Sequence, residues 1–174
     1  RLDEYIASEF LRAVRDAVTA MPVGELEKAI AAGDIDRIDA ALSRVGAHEN
    51  MALWVMIEMP LAALNIQEIA ARAGETRLST FVLGPNDLAK ELGAVATPDR
   101  MAFQTSFAVT LLAARAHGLV AIDGVFNGIG EDESLRNECE QGQILGFDGK
   151  TLIHPSQIAT CNEVFSPKEE DISQ

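Results

Sequence analysis

Four times between Met51 and Phe165 the chain passes through the same order of events: a short apolar run, a polar residue, a loop and a helical pattern. The runs are LWVMI closing at Glu58, LSTFVLG followed almost at once by Asp87, LVAID closing at Asp123, and KTLIH closing at His154 before Pro155. Continuous apolar runs of this length suit strands buried on both faces. Between them, helical patterns run from Leu61 to Ala73, from Met101 or Phe103 to His117, and from Glu131 to Leu145. Strands and helices alternating at this interval predict right-handed βαβ units in a parallel sheet.

That arrangement says where function gathers. In parallel α/β architecture the carboxyl ends of the strands form the working edge, and Glu58, Asp87, Asp123 and His154 all fall there. No GxGxxG, P-loop, GxSxG or HExxH pattern is present to suggest a dinucleotide fold, a nucleotide-phosphate cradle, a serine hydrolase or a zinc protease. The region before Met51 reads as helical, with an amphipathic helix over Arg1 to Met21, a second over Gly24 to Ala32 and a third from Asp34 or Asp36 to Gly46. It carries no recognisable chemistry.

With 48% apolar residues in 174, one substantial core is feasible. A formal charge of −13 argues against nucleic acid and anionic membrane surfaces as partners. No apolar run approaches the roughly 18 residues of a membrane span, and RLDEYIASEF lacks a signal-peptide layout, so a soluble cytoplasmic protein is expected. Cys139 and Cys161 have neither CxxC nor metal-ligand spacing and are expected to be ordinary reduced thiols.

Glu58 and Asp87 supply hard oxygen ligands at neighbouring strand ends, which suits Mg²⁺, an ion commonly bound by one or two carboxylates with water and substrate completing the shell. The competing structural roles are an arginine pair for Glu58 and a helix cap for Asp87. Asp123, followed by Gly124, fits either a site residue or a hydrogen-bond anchor for a loop. Lys150 and His154 favour an anionic ligand, although a lysine at a strand start is more often solvated. His154 is held extended by the proline that follows it, and His48 and His117 are given no role.

LWVMIEMPLAALNIQEIA, FVLGPNDLAKELGA, and AIDGVFNGIG through GFDGKTLIHPSQI to NEVFSPKEED together resemble the citrate lyase beta subunit and malyl-coenzyme A lyase group within the HpcH/HpaI aldolases. The likeness covers about Ile38 to Asp171. It implies an α/β fold of the (β/α)₈ TIM barrel type, represented here mainly by four carboxyl-terminal β/α units behind a helical segment, all in one domain over residues 1–174. It also implies a homotrimer or other homo-oligomer, with lid residues from a neighbouring chain.

By the same resemblance, Glu58 and Asp87 bind Mg²⁺ and, with Asp123, form the catalytic set. Gly84, Pro85 and Asn86 wall the metal, while Ile153, His154, Pro155 and Gln157 lie toward coenzyme A. The implied reaction is carbon–carbon cleavage of a 3-hydroxyacyl coenzyme A thioester, of citryl or malyl type, to acetyl coenzyme A and an oxoacid, with thioester hydrolysis a related outcome. Release of pyruvate from a 4-hydroxy-2-oxoacid and a non-catalytic coenzyme A-binding or assembly subunit are the alternatives.

Three departures from the family pattern stand out. The arginine that grips substrate has no counterpart among Arg1, Arg12, Arg15, Arg37 or Arg44. Gly128 and Gly130 replace larger residues and are expected to loosen the loop after Asp123. Four strands leave two open sheet edges, so the remaining barrel segments are expected to lie outside this sequence, with completion by another chain as the alternative.

Overall fold

A computed structural model describes residues 30–129 and 133–167. Its first element is helix α1 (Ala32–Arg44), which begins at Ala31 in extended backbone and stops before Gly46, whose φ of 70° lies in the left-handed region. The helices expected over 1–21 and most of 24–32 lie outside the described residues. Strand β1 (Leu53–Ile57) follows, then helices α2 (Pro60–Leu64) and α3 (Ile66–Ala70) with a 3₁₀ turn at Ala71–Gly74. The single helix expected from Leu61 to Ala73 is therefore broken at Asn65, whose ψ of 14° departs from the helical range.

Strand β2 (Leu78–Leu83) leads into helix α4 (Pro85–Leu92), and helix α5 (Gln104–Ala116) into strand β3 (Val120–Asp123). Helix α6 (Glu133–Leu145), strand β4 (Gly149–Lys150), a 3₁₀ turn at Pro155–Gln157 and helix α7 (Ile158–Phe165) complete the order. The four strands lie in sequence order and every pair is parallel, as the alternation predicts. The architecture is that of consecutive β/α units of a barrel.

The fourth strand is shorter than KTLIH suggests. Lys150 pairs with Asp123, the last residue of β3, and Thr151 adds one further bond from its N–H to the Asp123 carbonyl. Beyond that point β3 offers no ladder for Leu152 to His154 to join, so the chain leaves the sheet. His154 consequently sits at the head of the 3₁₀ turn, not at a strand end.

The register sorts the side chains of the sheet onto two faces. Val55, Phe81 and Ala121 share one face, with Ile57 and Leu83 further along it, and pack against Ile69, Leu88, Phe103, Phe107 and Phe147 in the main core. Phe107 stands edge-on to Phe147 with ring centroids 5.5 Å apart. Trp54, Thr80 and Val120 share the opposite face with Met56, Val82 and Ile122. Trp54 is 58% exposed there, and Met56 and Val120 are exposed as well. A parallel sheet is normally covered on both sides, and this second face corresponds to the interior of a barrel.

Asp148 and Arg115 fasten α5 to the start of β4. The guanidinium donates to both carboxylate oxygens at 2.9 Å, and Asp148 also accepts the Ala121 N–H. Cys139 and Cys161 are free buried thiols that join α6 to α7 in a second, smaller apolar cluster. No helix among the described residues is long and apolar enough to cross a membrane.

Candidate active site

The β1–β2 ladder runs to the ends of both strands, closing with a bond from the Gly84 N–H to the Ile57 carbonyl. This sets Glu58, one residue past β1, beside the turn from Gly84 into α4. A Cβ built on Gly84 would lie 2.5 Å from Glu58 Cβ and 3.1 Å from its Oε2, so only glycine lets the glutamate side chain lie across this turn. Pro85 occupies the first position of α4, where its missing N–H costs nothing and its φ suits the helix. Asp87 then falls in the first turn, near the positive end of the helix dipole.

Neither competing structural role is seen for these two acids. Gly84 is the N-cap of α4 and no side chain caps it, and no Lys or Arg among the described residues pairs with Glu58 or Asp87. Partial burial, and secondly the charge of Asp87, hold the Glu58 carboxyl above its ordinary value. Two carboxylates close enough for Asp87 to raise Glu58, neither paired with a Lys or Arg among the described residues, are a donor set that a divalent ion would relieve. No group of three or more His, Cys, Asp or Glu is assembled among the described residues. Hard oxygen donors in so small a number fit Mg²⁺, which keeps several water or substrate ligands, better than a closed all-protein zinc site.

The third strand-end acid has the opposite setting. Asp123 is 0% exposed, and its carboxylate accepts two bonds of 2.7 Å from Arg100, one of 3.1 Å from Lys150 and one from the Gly124 N–H. Lys150 is buried too, contrary to the expectation that it is solvated. Its Nζ also donates to Glu138 Oε1 at 2.6 Å and to the Gly124 carbonyl at 2.6 Å. Burial without partners would be prohibitive for such an amine, and three acceptors explain how it is tolerated. Asp123 thus holds a strand end and its loop together, with no carboxylate oxygen turned toward an open site.

Arg100 and Glu138 were not legible as parts of a site. Arg100 has a φ of 52°, is buried, and lays its guanidinium over Phe107 at 5.0 Å while reaching Asp123. The only local signal is the preceding Thr-Pro-Asp, which marks a turn but not what the arginine reaches.

Past Asp123, the loop of residues 124–129 lies over the entry to α4. A Cβ on Gly124 would come within 2.2 Å of Pro85 Cδ, so glycine permits that contact. Asn127 and Asn86 exchange two hydrogen bonds, with Asn86 Nδ2 donating at 3.0 Å and Asn127 Nδ2 at 2.8 Å. Gln157 is 0% exposed. Its Nε2 donates to the carbonyls of Gly128 at 2.7 Å and Phe126 at 3.3 Å, and its Oε1 accepts from the N–H groups of Ile153 and His154. Gln157, expected to lie toward coenzyme A, is buried and ties the exposed segment at Ile153 and His154 to the loop after β3.

The loop is accordingly tied at Gly128, contrary to the loosening expected there, while Gly130 lies outside the described residues. His154, Ile153 and Pro155 are exposed on the same side, and His154 Nδ1 is 2.8 Å from Ser156 Oγ.

Residues 7–155 match the family model described as HpcH/HpaI aldolase/citrate lyase, a match that starts earlier and stops sooner than the resemblance over 38–171. The chain is 54% identical over 123 residues to a (3S)-malyl-CoA thioesterase of Cereibacter sphaeroides, covering 71% of this chain and 42% of that protein. It is 29% identical over 165 residues to an L-malyl-CoA/beta-methylmalyl-CoA lyase of Rhodobacter capsulatus, covering 82% and 51%. Among solved structures, CitE from Mycobacterium tuberculosis in complex with magnesium, acetoacetate and coenzyme A superposes with a TM-score of 0.66 at 26% identity, over 84% of this chain and 52% of that one. The chain thus spans about half the length, or less, of these relatives. On the parallel β/α units and the matched residues together, the chain belongs to the HpcH/HpaI aldolase/citrate lyase family.

Proposed function

We propose that this chain carries the metal-binding part of a Mg²⁺-dependent enzyme acting on a 3-hydroxyacyl coenzyme A thioester of malyl type. The observation that carries the reading is the Glu58–Asp87 pair, two carboxylates at adjacent strand ends with no protein cation among the described residues to neutralise them. Magnesium held by these acids would stabilise negative charge on a substrate oxygen. The chain's own part is to fix the two donors: the ladder from Gly84 to Ile57 places Glu58, and Pro85 with the first turn of α4 places Asp87. The wall formed by Gly84, Pro85 and Asn86 limits how substrate approaches, and the exposed edge at Ile153, His154 and Pro155 is offered to the coenzyme A portion.

Of the two reactions open to such a substrate, hydrolysis of the thioester is favoured by the 54% identity to a malyl-CoA thioesterase. Carbon–carbon cleavage is the second reading, supported by the 29% identity to a malyl-CoA lyase. Homo-oligomeric assembly with lid residues from a neighbour belongs to the same proposal. Asp123 acts in it by holding β3, β4 and their loops together, without meeting substrate.

Incubating the intact protein with malyl-CoA and Mg²⁺ and identifying the products tests the reading. Malate with free coenzyme A signals hydrolysis, and glyoxylate with acetyl coenzyme A signals cleavage. Turnover that persists in Glu58→Gln and Asp87→Asn under chelation would overturn the metal assignment.

A further inference from the structure

We propose that Asn127 is a positioning residue for Asp87, acting through a clamp of carboxamides that begins at Gln157. This rests on the reading of Glu58 and Asp87 as the magnesium ligands. Asn86 immediately precedes Asp87 and sits in the same first turn of α4. Its carboxamide forms a closed two-bond ring with that of Asn127, each amide both donating and accepting. The ring survives rotation of both amides together, and neither an ionised carboxylate, which only accepts, nor an ammonium, which only donates, can replace either partner and keep both bonds.

Asn127 is itself held from behind. Gln157 donates to the carbonyls on either side of it, Phe126 and Gly128, while its own oxygen accepts from Ile153 and His154. Lys150 donates to the Gly124 carbonyl at the other end of the same loop. The loop after β3 is therefore tied at both ends to buried groups and reaches out to the residue next to Asp87. A fixed loop gripping a short helix turn limits how far Asp87 can swing, and outer-shell partners of metal-binding carboxylates act in this way.

Because the two asparagines are exposed, replacing them is expected to leave the fold intact. The test is Mn²⁺ binding to the intact protein followed by electron paramagnetic resonance, with Mn²⁺ standing in for Mg²⁺. Asn127→Ala is expected to weaken binding about three- to tenfold, the scale of one to two modest hydrogen bonds. Asn86→Ala should weaken it equally, and the double variant should be no worse than either single one, because each already breaks the same ring. Asn127→Asp keeps one bond but loses the ring, and should broaden the Mn²⁺ signal relative to wild type.

In turnover of Asn127→Ala, the apparent KM for Mg²⁺ should rise while kcat at saturating metal stays within about twofold. Binding in Asn127→Ala within twofold of wild type, or additive losses in the double variant, overturns the proposal. Should Glu58→Gln and Asp87→Asn bind Mn²⁺ as well as wild type, the metal reading itself fails and the clamp's stated role goes with it. If those two lose the ion while Asn127→Ala keeps it, the clamp alone is wrong.

Discussion

Two groups of acids stand at the carboxyl edge of one sheet, and their surroundings are opposite. Asp123 and Glu138 are met by Arg100 and Lys150 in a buried set whose distances run from 2.6 to 3.1 Å. Glu58 after β1 and Asp87 after β2 have no such cation among the described residues, and partial burial, then the charge of Asp87, raises the Glu58 carboxyl. The same fold edge thus holds a compensated cluster and an uncompensated pair. Compensation inside the protein makes structure, whereas its absence at a strand end leaves room for a cation from solution. Position in the sheet does not distinguish the two, but the company each carboxylate keeps does.

The strongest way to break this comparison is to remove Lys150. Lys150→Ala leaves Glu138 and Asp123 with too little positive charge in a buried setting and should destabilise the protein by about 3–5 kcal/mol, read as a lowered urea midpoint. Next in size, Glu58→Gln or Asp87→Asn should weaken Mg²⁺ binding by at least the roughly 10- to 100-fold that outer-shell changes cost. In metal-free protein, the same two changes should move unfolding by less than about 1 kcal/mol, since neither acid pairs with a cation among the described residues. Equal stability losses at the two clusters would erase the distinction.

Gly84→Ala should combine both kinds of effect. The added methyl meets Glu58 Cβ at 2.5 Å, so overpacking costs about 1–3 kcal/mol and metal binding falls with the displaced carboxylate. The smallest effect concerns pH. Folded Glu58 binds its proton more tightly than the unfolded chain does, so in metal-free protein stability falls as pH rises from the ordinary glutamate value of 4.5 through the raised folded value. Subtracting the thermal melts of Glu58→Gln from those of wild type should expose that decline, and saturating Mg²⁺ should remove it.

The first three strands were legible because each is a short, mainly apolar run with an acid at its end or a few residues beyond, and that pattern depends only on neighbours in the chain. KTLIH carries a similar pattern, yet only Gly149–Lys150 form a strand, because ladder pairing also needs a partner and β3 ends at Asp123. The Glu58–Asp87 pair was readable from strand ends for the same local reason. The burial of Lys150 was not, since its partners Asp123 and Glu138 lie 27 and 12 residues away. Arg100 was hidden further by a left-handed backbone that no glycine announces. The burial of Gln157 and its bonds to Phe126 and Gly128 were likewise hidden, because a motif says where a residue lies and not which way its amide faces.

Calorimetric titration of the intact, metal-free protein with Mg²⁺ tests the central claim most directly, run on wild type, Glu58→Gln, Asp87→Asn and Asp123→Asn, each after its fold is verified by circular dichroism. The account predicts a saturable site in wild type that is lost in the first two variants and retained in whatever fraction of Asp123→Asn folds. Undiminished binding in Glu58→Gln and Asp87→Asn, or loss of binding in folded Asp123→Asn alone, would contradict it.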